Sequence, residues 1–249
     1  VIDPTTGNEI DITQREDIPY LPRTERRGYM FEGWYENAEF EGEPVTFPYT
    51  KYRNIVLYAK WAVQEFEIVF LSHGGSEIPS MLVRYGESYV LPVPQRDGYN
   101  FLGWFDAADE TLQYTDHEGI GLGVGEGEAN GTWGLIQNEA FELVARWQEA
   151  EYIVTYDPNG GEILDGYGNP VTQKIVTYNN TFTLDVPQRE GYEFRGWRDE
   201  YNTPITDNSG KSFDKWLFFE NKTLYARWTA LSYKVQFDDG FGGYYDQIE

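Results

Sequence analysis

Few side chains in this sequence combine a reactive type with a useful spacing. His73 and His117 stand far apart. Neither has a second imidazole with which to share a metal, nor the neighbours of a Ser-His-Asp triad. Two acidic groups, Asp106 with Asp109 and Glu110, and Asp238 with Asp239 beside Gly240, could offer hard oxygen ligands to calcium. Neither group shows the regular alternation of an EF-hand loop, and a solvated acidic surface is the plainer reading. The run Gly119-Ile120-Gly121-Leu122-Gly123-Val124-Gly125-Glu126-Gly127 contains a Gly-x-Gly pattern. It lacks the strand-glycine-helix setting and the lysine that phosphate binding needs, so it reads as a flexible or partner-contacting loop. The absence of cysteine excludes thiol catalysis, thiolate metal sites and a disulfide framework. With no paired acid and base, nucleophile or metal constellation, the expectation is a non-enzyme without a cofactor, calcium being the one ion with candidate ligands.

The elements that would have to position any site form an array. Gly-Tyr-x-Phe-x-Gly-Trp recurs at Gly28 to Trp34, Gly98 to Trp104 and Gly191 to Trp197. Each copy is answered by an Ala-basic-Trp ending, at Ala59-Lys60-Trp61, Ala145-Arg146-Trp147 and Ala226-Arg227-Trp228. After each ending an alternating strand restarts, at Phe66, Tyr152 and Tyr233, with periods of 86 and 81 residues. A period of that length marks one small domain per repeat, not a solenoid turn. The divisions are 1–62, lacking an evident opening strand; 63–148, with a Gly-rich insert at 117–134; 149–229; and 230–249, the opening strand of a fourth repeat.

Period-two alternation predicts strands at 66–70, 81–85, 152–156, 174–178 and 233–237, with glycine- and asparagine-rich turns between them. The best helical candidates are 107–113 and 215–221. The aromatics of the motif and of the ending, Tyr29, Phe31, Trp34, Trp61, Tyr99, Phe101, Trp104, Trp147, Tyr192, Phe194, Trp197 and Trp228, are expected to supply the cores. Large rings are an effective source of buried area in a domain of about 80 residues without disulfides. The alternative is that Tyr29, Tyr99 and Tyr192 with their tryptophans form exposed platforms for sugars. The second glycine of the motif suits a bulge or a close backbone approach. The joints at 62–65, 148–151 and 229–232 are short and free of Pro and Gly, which predicts limited bending.

Net charge is −23 and mean hydropathy −0.59. A field of that sign repels phosphate, which argues against nucleic acid and anionic lipid as partners. No apolar run approaches the length of a membrane span, and neither end shows a signal peptide or sorting tail.

The opening strand, the Asn159-Gly160-Gly161 turn, the motif centre and the Leu-Tyr-Ala-Arg-Trp ending together resemble the Listeria-Bacteroides repeat, the internalin B-repeat family. The likeness is strongest over Tyr152 to Trp228, good over Phe66 to Trp147 and partial at the ends. It implies β-rich α+β units of β-grasp, ubiquitin-like type, forming an elongated rod. It also implies an extracellular setting on bacterial surface or secreted proteins, as stalk, adhesion or interaction segments, with no catalytic residues. Two positions depart from the pattern. Leu71-Ser72-His73 stands where Tyr156-Asp157-Pro158-Asn159 would be expected, and Arg198 stands where the other copies have Tyr35 and Phe105.

The expected partners are adjacent repeats, other copies of the chain, or a surface protein or glycan. A truncated array explains the unequal ends. The alternative is strand exchange, with Tyr233, Val235 and Phe237 entering the first repeat of another molecule to build a head-to-tail filament.

Overall fold

The computed structural model describes residues 24–46, 49, 55–125, 131–238, 240 and 244–248. The start of the first repeat, residues 126–130 of the insert, and Asp239 lie outside that set, so the missing opening strand and half of one calcium candidate fall there. Twelve strands are described: β1 Tyr29–Tyr35, β2 Tyr58–Val63, β3 Glu65–Leu71, β4 Met81–Arg84, β5 Tyr99–Asp106, β6 Phe141–Glu149, β7 Glu151–Asp157, β8 Gln173–Thr177, β9 Tyr192–Arg198, β10 Lys222–Ala230, β11 Lys234–Asp238 and β12 Tyr244–Ile248. They form sheets of order β1-β2, β4-β3-β6-β5, β8-β7-β10-β9 and β11-β12. The chain divides into two compact units, Val1–Gln95 with Phe101–Arg146, and Arg96–Asn100 with Trp147–Glu249.

In each four-stranded sheet the opening strand lies in the middle. β7 pairs antiparallel with β8 through Tyr152↔Val176 and parallel with β10 through Leu224↔Tyr156, while β10 pairs antiparallel with β9. β3 likewise pairs antiparallel with β4 and parallel with β6. Alternation decides the buried face: Val154 and Tyr156 on β7 and Leu224 and Ala226 on β10 point inward, with polar or half-buried neighbours between them.

The β-grasp, α+β expectation is overturned. Among the described residues the chain is all-β, with curled half-barrel sheets and no helix, and no helix there is long and apolar enough to cross a membrane. The local reason is visible at both helical candidates. At 215–221, Trp216 donates its N–H to Asn180 O and accepts from Asn179 N. Trp216 and Phe218 turn toward the core while Leu217 and Phe219 are exposed, which is the period of a strand. At 107–113, the Asp106 carboxylate accepts the N–H groups of Ala108 and Asp109, and Asp109 accepts that of Thr111. Such short side-chain bonds stabilise tight turns in competition with a helix.

Bridged loops therefore cover the inner face of the sheet. Thr183↔Lys211, Thr206↔Ser212 and Glu162↔Gln188 tie them together in the third repeat, and Trp216, Leu184 and Ile163 bring their side chains into the same core as Trp197 and Leu224.

Candidate functional site: the repeat joints and the outer face

The two glycines of the motif have separate tasks. The second, Gly103 or Gly196, has φ of 139° or 100°, and a Cβ there would lie 2.2 Å from the carbonyl oxygen of Thr115 or Thr206. That approach lets the following tryptophan donate its backbone N–H to the threonine hydroxyl, at 3.0 Å for both Trp104 to Thr115 and Trp197 to Thr206. The indole N–H groups of Trp104 and Trp197 reach Pro92 O at 2.8 Å and Asp185 O at 2.9 Å. Both rings are fully buried, so each satisfies its polar atom within the core.

The first glycine serves the joint. Gly28, with φ of 76°, holds the Tyr85 ring so closely that a Cβ would sit 2.1 Å from it; at Gly98, with φ of 78°, a Cβ would be 2.5 Å from the Tyr178 ring. Tyr29 and Tyr99 add edge contacts to the same two tyrosines. One linker residue is pinned from both sides. Gln64 donates its N–H to Gly28 O and accepts from Tyr85 N; Ala150 donates to Gly98 O and accepts from Tyr178 N. Leu231 makes the corresponding bond to Gly191 O. Arg26, Arg96 and Arg189 lie 3.8, 3.7 and 3.8 Å over the rings of Tyr29, Tyr99 and Tyr192, a contact that neutralises little charge but fixes the ring. The Gln64 cluster lies inside the first compact unit and the Ala150 cluster inside the second.

The residues expected to form the cores separate by depth. Trp34, Phe101, Trp104, Phe194 and Trp197 are buried; Tyr29, Trp61, Tyr99, Trp147 and Trp228 are half-buried; Phe31 is 41% and Tyr192 38% exposed. Tyr233, Val235 and Phe237 are exposed, and one edge of β11 is taken by β12 through Phe237↔Tyr245.

Two tryptophans absent from the motif are buried as deeply as those within it. Trp133 and Trp216 are fully buried, hydrogen-bond through their backbones at equivalent places, and lack a partner for the indole N–H among the described residues. Trp133 stands 29 residues after Trp104, and Trp216 stands 19 after Trp197. The insert disguises their equivalence; aligning backward from the Ala-basic-Trp ending, where the offsets differ by only two, would have exposed it.

The acidic candidates for calcium are engaged in turns. Asp106 accepts two backbone N–H groups and the Tyr114 hydroxyl, Asp109 accepts from Thr111, and Glu110 pairs with Arg146. The Thr111 bonds hold the Asp109 carboxyl below its ordinary range. Asp165 and Asp207 are lowered in the same way, chiefly by the side chains of Asn169 and Ser209, each closing a loop whose backbone N–H groups also point at the carboxylate. Among the described residues no group of three His, Cys, Asp or Glu is placed to hold a metal.

On the outer face the repeats diverge. Lys60 lies over Tyr35 and pairs with Glu32, and Arg146 lies over Phe105. In the third repeat Arg198 replaces the aromatic, and with Asn159, Asp199, Asn202, Tyr225 and Arg227 it lines a cleft of about 240 Å³.

A tandem array of all-β modules, the second and third closed by a buried Trp-Gly-Thr arrangement and the first two carrying a glycine that seats the tyrosine of the next repeat, defines a modular repeat protein. The chain belongs to the Listeria-Bacteroides repeat domain family, whose model matches residues 3–60, 66–122 and 152–227. It is 33% identical over 251 residues to a protein of Evansella cellulosilytica that bears a membrane-protein name, covering 97% of this chain and 32% of that protein. It is 28% identical over 227 residues to a second protein of the same organism, which bears a Gly-rich membrane-protein name, covering 90% of this chain and 23% of the relative. Internalin H of Listeria monocytogenes matches at 34% identity over 85 residues, or 33% of this chain and 15% of internalin H. The chain thus spans a third or less of the length of these relatives. No solved structure matches it.

Proposed function

We propose that this chain is a repeat region of a bacterial surface protein, in which successive modules act as a non-enzymatic spacer with stiff joints. The observation that carries the reading is the recurring lock at Gln64 and Ala150, each held by a hydrogen bond on either side and by a tyrosine seated on glycine. A loose tether needs none of these contacts, and flexible linkers are typically rich in Gly and Ser. The family match, the membrane-protein names of two relatives and the internalin relative support the surface setting.

Residual dipolar couplings on the full chain test the spacer. The strand pairs β1-β2 and β3-β4, on either side of the Gln64 joint and within the first compact unit, are expected to share one alignment tensor, and Gly28→Ala is expected to separate the two tensors while each pair stays folded. Independent tensors in the parent protein would overturn the stiff-joint reading.

A further inference from the structure

The cleft at Arg198 is where the third repeat departs most from its siblings. Arg198 and Tyr225 are register partners across β9 and β10, and Arg227 follows at the bulge between Ala226 and Trp228. Leu224, Ala226 and Trp197 point into the core, so Tyr225, Arg227 and Arg198 share the outer face. The turn at Asn159 and the Asp199–Thr203 loop close the two sides.

The charges in this cleft are unevenly matched. Arg198 donates from Nη1 to Asn202 O at 2.7 Å, but its Nε is buried without a partner among the described residues. That Nε is closed to solvent, so a ligand in the cleft meets the outer edge of the guanidinium, where Nη2 has no partner among the described residues. Arg227, whose counterparts Lys60 and Arg146 each have an aromatic ring and a carboxylate, has neither among the described residues. The two acids at the rim are already committed. Asp199 accepts the N–H groups of Tyr201 and Thr203, and Glu200 pairs with Lys222, which also holds Glu220.

The geometry points to a binding site for a carboxylate-bearing sugar, a single hexuronate residue, with its carboxylate on Arg198 and Arg227 and its ring against Tyr225. A guanidinium presents parallel donors that match a planar carboxylate, and an amphipathic tyrosine ring suits a sugar face. Asn202 stands at the rim for hydroxyl groups, and Tyr201, 81% exposed at the tip of the adjoining loop, extends the aromatic surface. The volume falls below the ~300 Å³ at which pockets begin to enclose drug-sized ligands, which suits one ring and not a long oligomer. This site does not depend on the spacer reading, since either can hold without the other.

The test is a titration of the full chain with sodium glucuronate, followed by amide and arginine Nε–H resonances, beside titrations with glucose and acetate. Saturable shifts centred on Arg198 and Tyr225 are expected with glucuronate, with acetate binding at least about tenfold more weakly and glucose not saturating. Arg198→Tyr, which restores the residue type of Tyr35, is expected to weaken glucuronate about tenfold or more, as loss of a charge-assisted pair does. Arg227→Gln provides a second variant should the first disturb folding, with the same direction expected. Failure to saturate with glucuronate, acetate binding as tightly as glucuronate, or parent-like binding by a folded Arg198→Tyr or Arg227→Gln would each overturn the assignment.

Discussion

In the second repeat Arg146 lies 4.9 Å over the Phe105 ring and pairs with Glu110; in the third, Arg227 at the same place in the ending shares a cleft with Arg198. Beneath these outer faces the sheets have the same strand order and the same inner arrangement, down to the 3.0 Å bond from tryptophan N–H to threonine. The difference teaches that the core tolerates little variation while the outer face is free to change chemistry. A residue pointing into a close-packed interior must match its neighbours in volume and polarity, whereas one pointing outward answers mainly to solvent and ligands.

The strongest way to break this comparison is to remove an inner tryptophan. Trp104→Ala and Trp197→Ala are each expected to lose about 3–5 kcal/mol, enough to unfold the affected repeat, as read by urea denaturation. Matching melts in parent and variant would show that the inner faces do not hold the repeats together. Next come Gly103→Ala and Gly196→Ala, which force a Cβ against a backbone oxygen at positive φ. Each is expected to lose about 1–3 kcal/mol from backbone strain alone, and the two losses should agree if the two cores are equivalent.

Alkaline pH sharpens the contrast between the cores. Burial pushes the Tyr89 phenol from 10.0 up to about 12, and raises Tyr114 as well, whereas the third repeat has Tyr156 as its deeply raised phenol. A group whose folded value is raised stabilises the fold fully below its unfolded value, and that contribution is lost as pH climbs toward the folded one. The second repeat is therefore expected to lose stability between about pH 10 and 12 faster than the third. Thermal melts of single-tryptophan reporters across that range would show the order. The smallest effect belongs to the outer face: Arg198→Tyr gives Arg227 an aromatic partner and is expected to raise stability by about 0.5–1 kcal/mol, measured by the same denaturation.

Much of the fold was legible along the chain. Alternation located β3, β4, β7, β8 and β11 to within about a residue at either end, and the second motif glycine was readable as a close backbone approach because a fixed glycine before a large ring has few other uses. The sugar-platform alternative for Tyr29, Tyr99 and Tyr192 is differently placed, since Tyr29 and Tyr99 make edge contacts with the tyrosines of the joints. Trp133 and Trp216 escaped notice because the insert changes their distance from the motif. The best helical candidates, 107–113 and 215–221, are not helices: aspartate-closed turns and pairing with Asn179 and Asn180 took those backbones instead.

By itself the sequence determined the repeat, its period, its aromatic anchors and its family, because each of these is a matter of residue type at fixed spacing. Tertiary structure alone decided three further things: that loops cover the sheet where a helix was expected, that the first glycine seats the tyrosine of the following repeat, and that Arg198 and Arg227 face one cleft. Each depends on contacts between residues far apart in the chain, from 29 positions for Arg198 and Arg227 to 80 for Gly98 and Tyr178, and periodicity along a chain reports the face a side chain takes without naming what it will meet there.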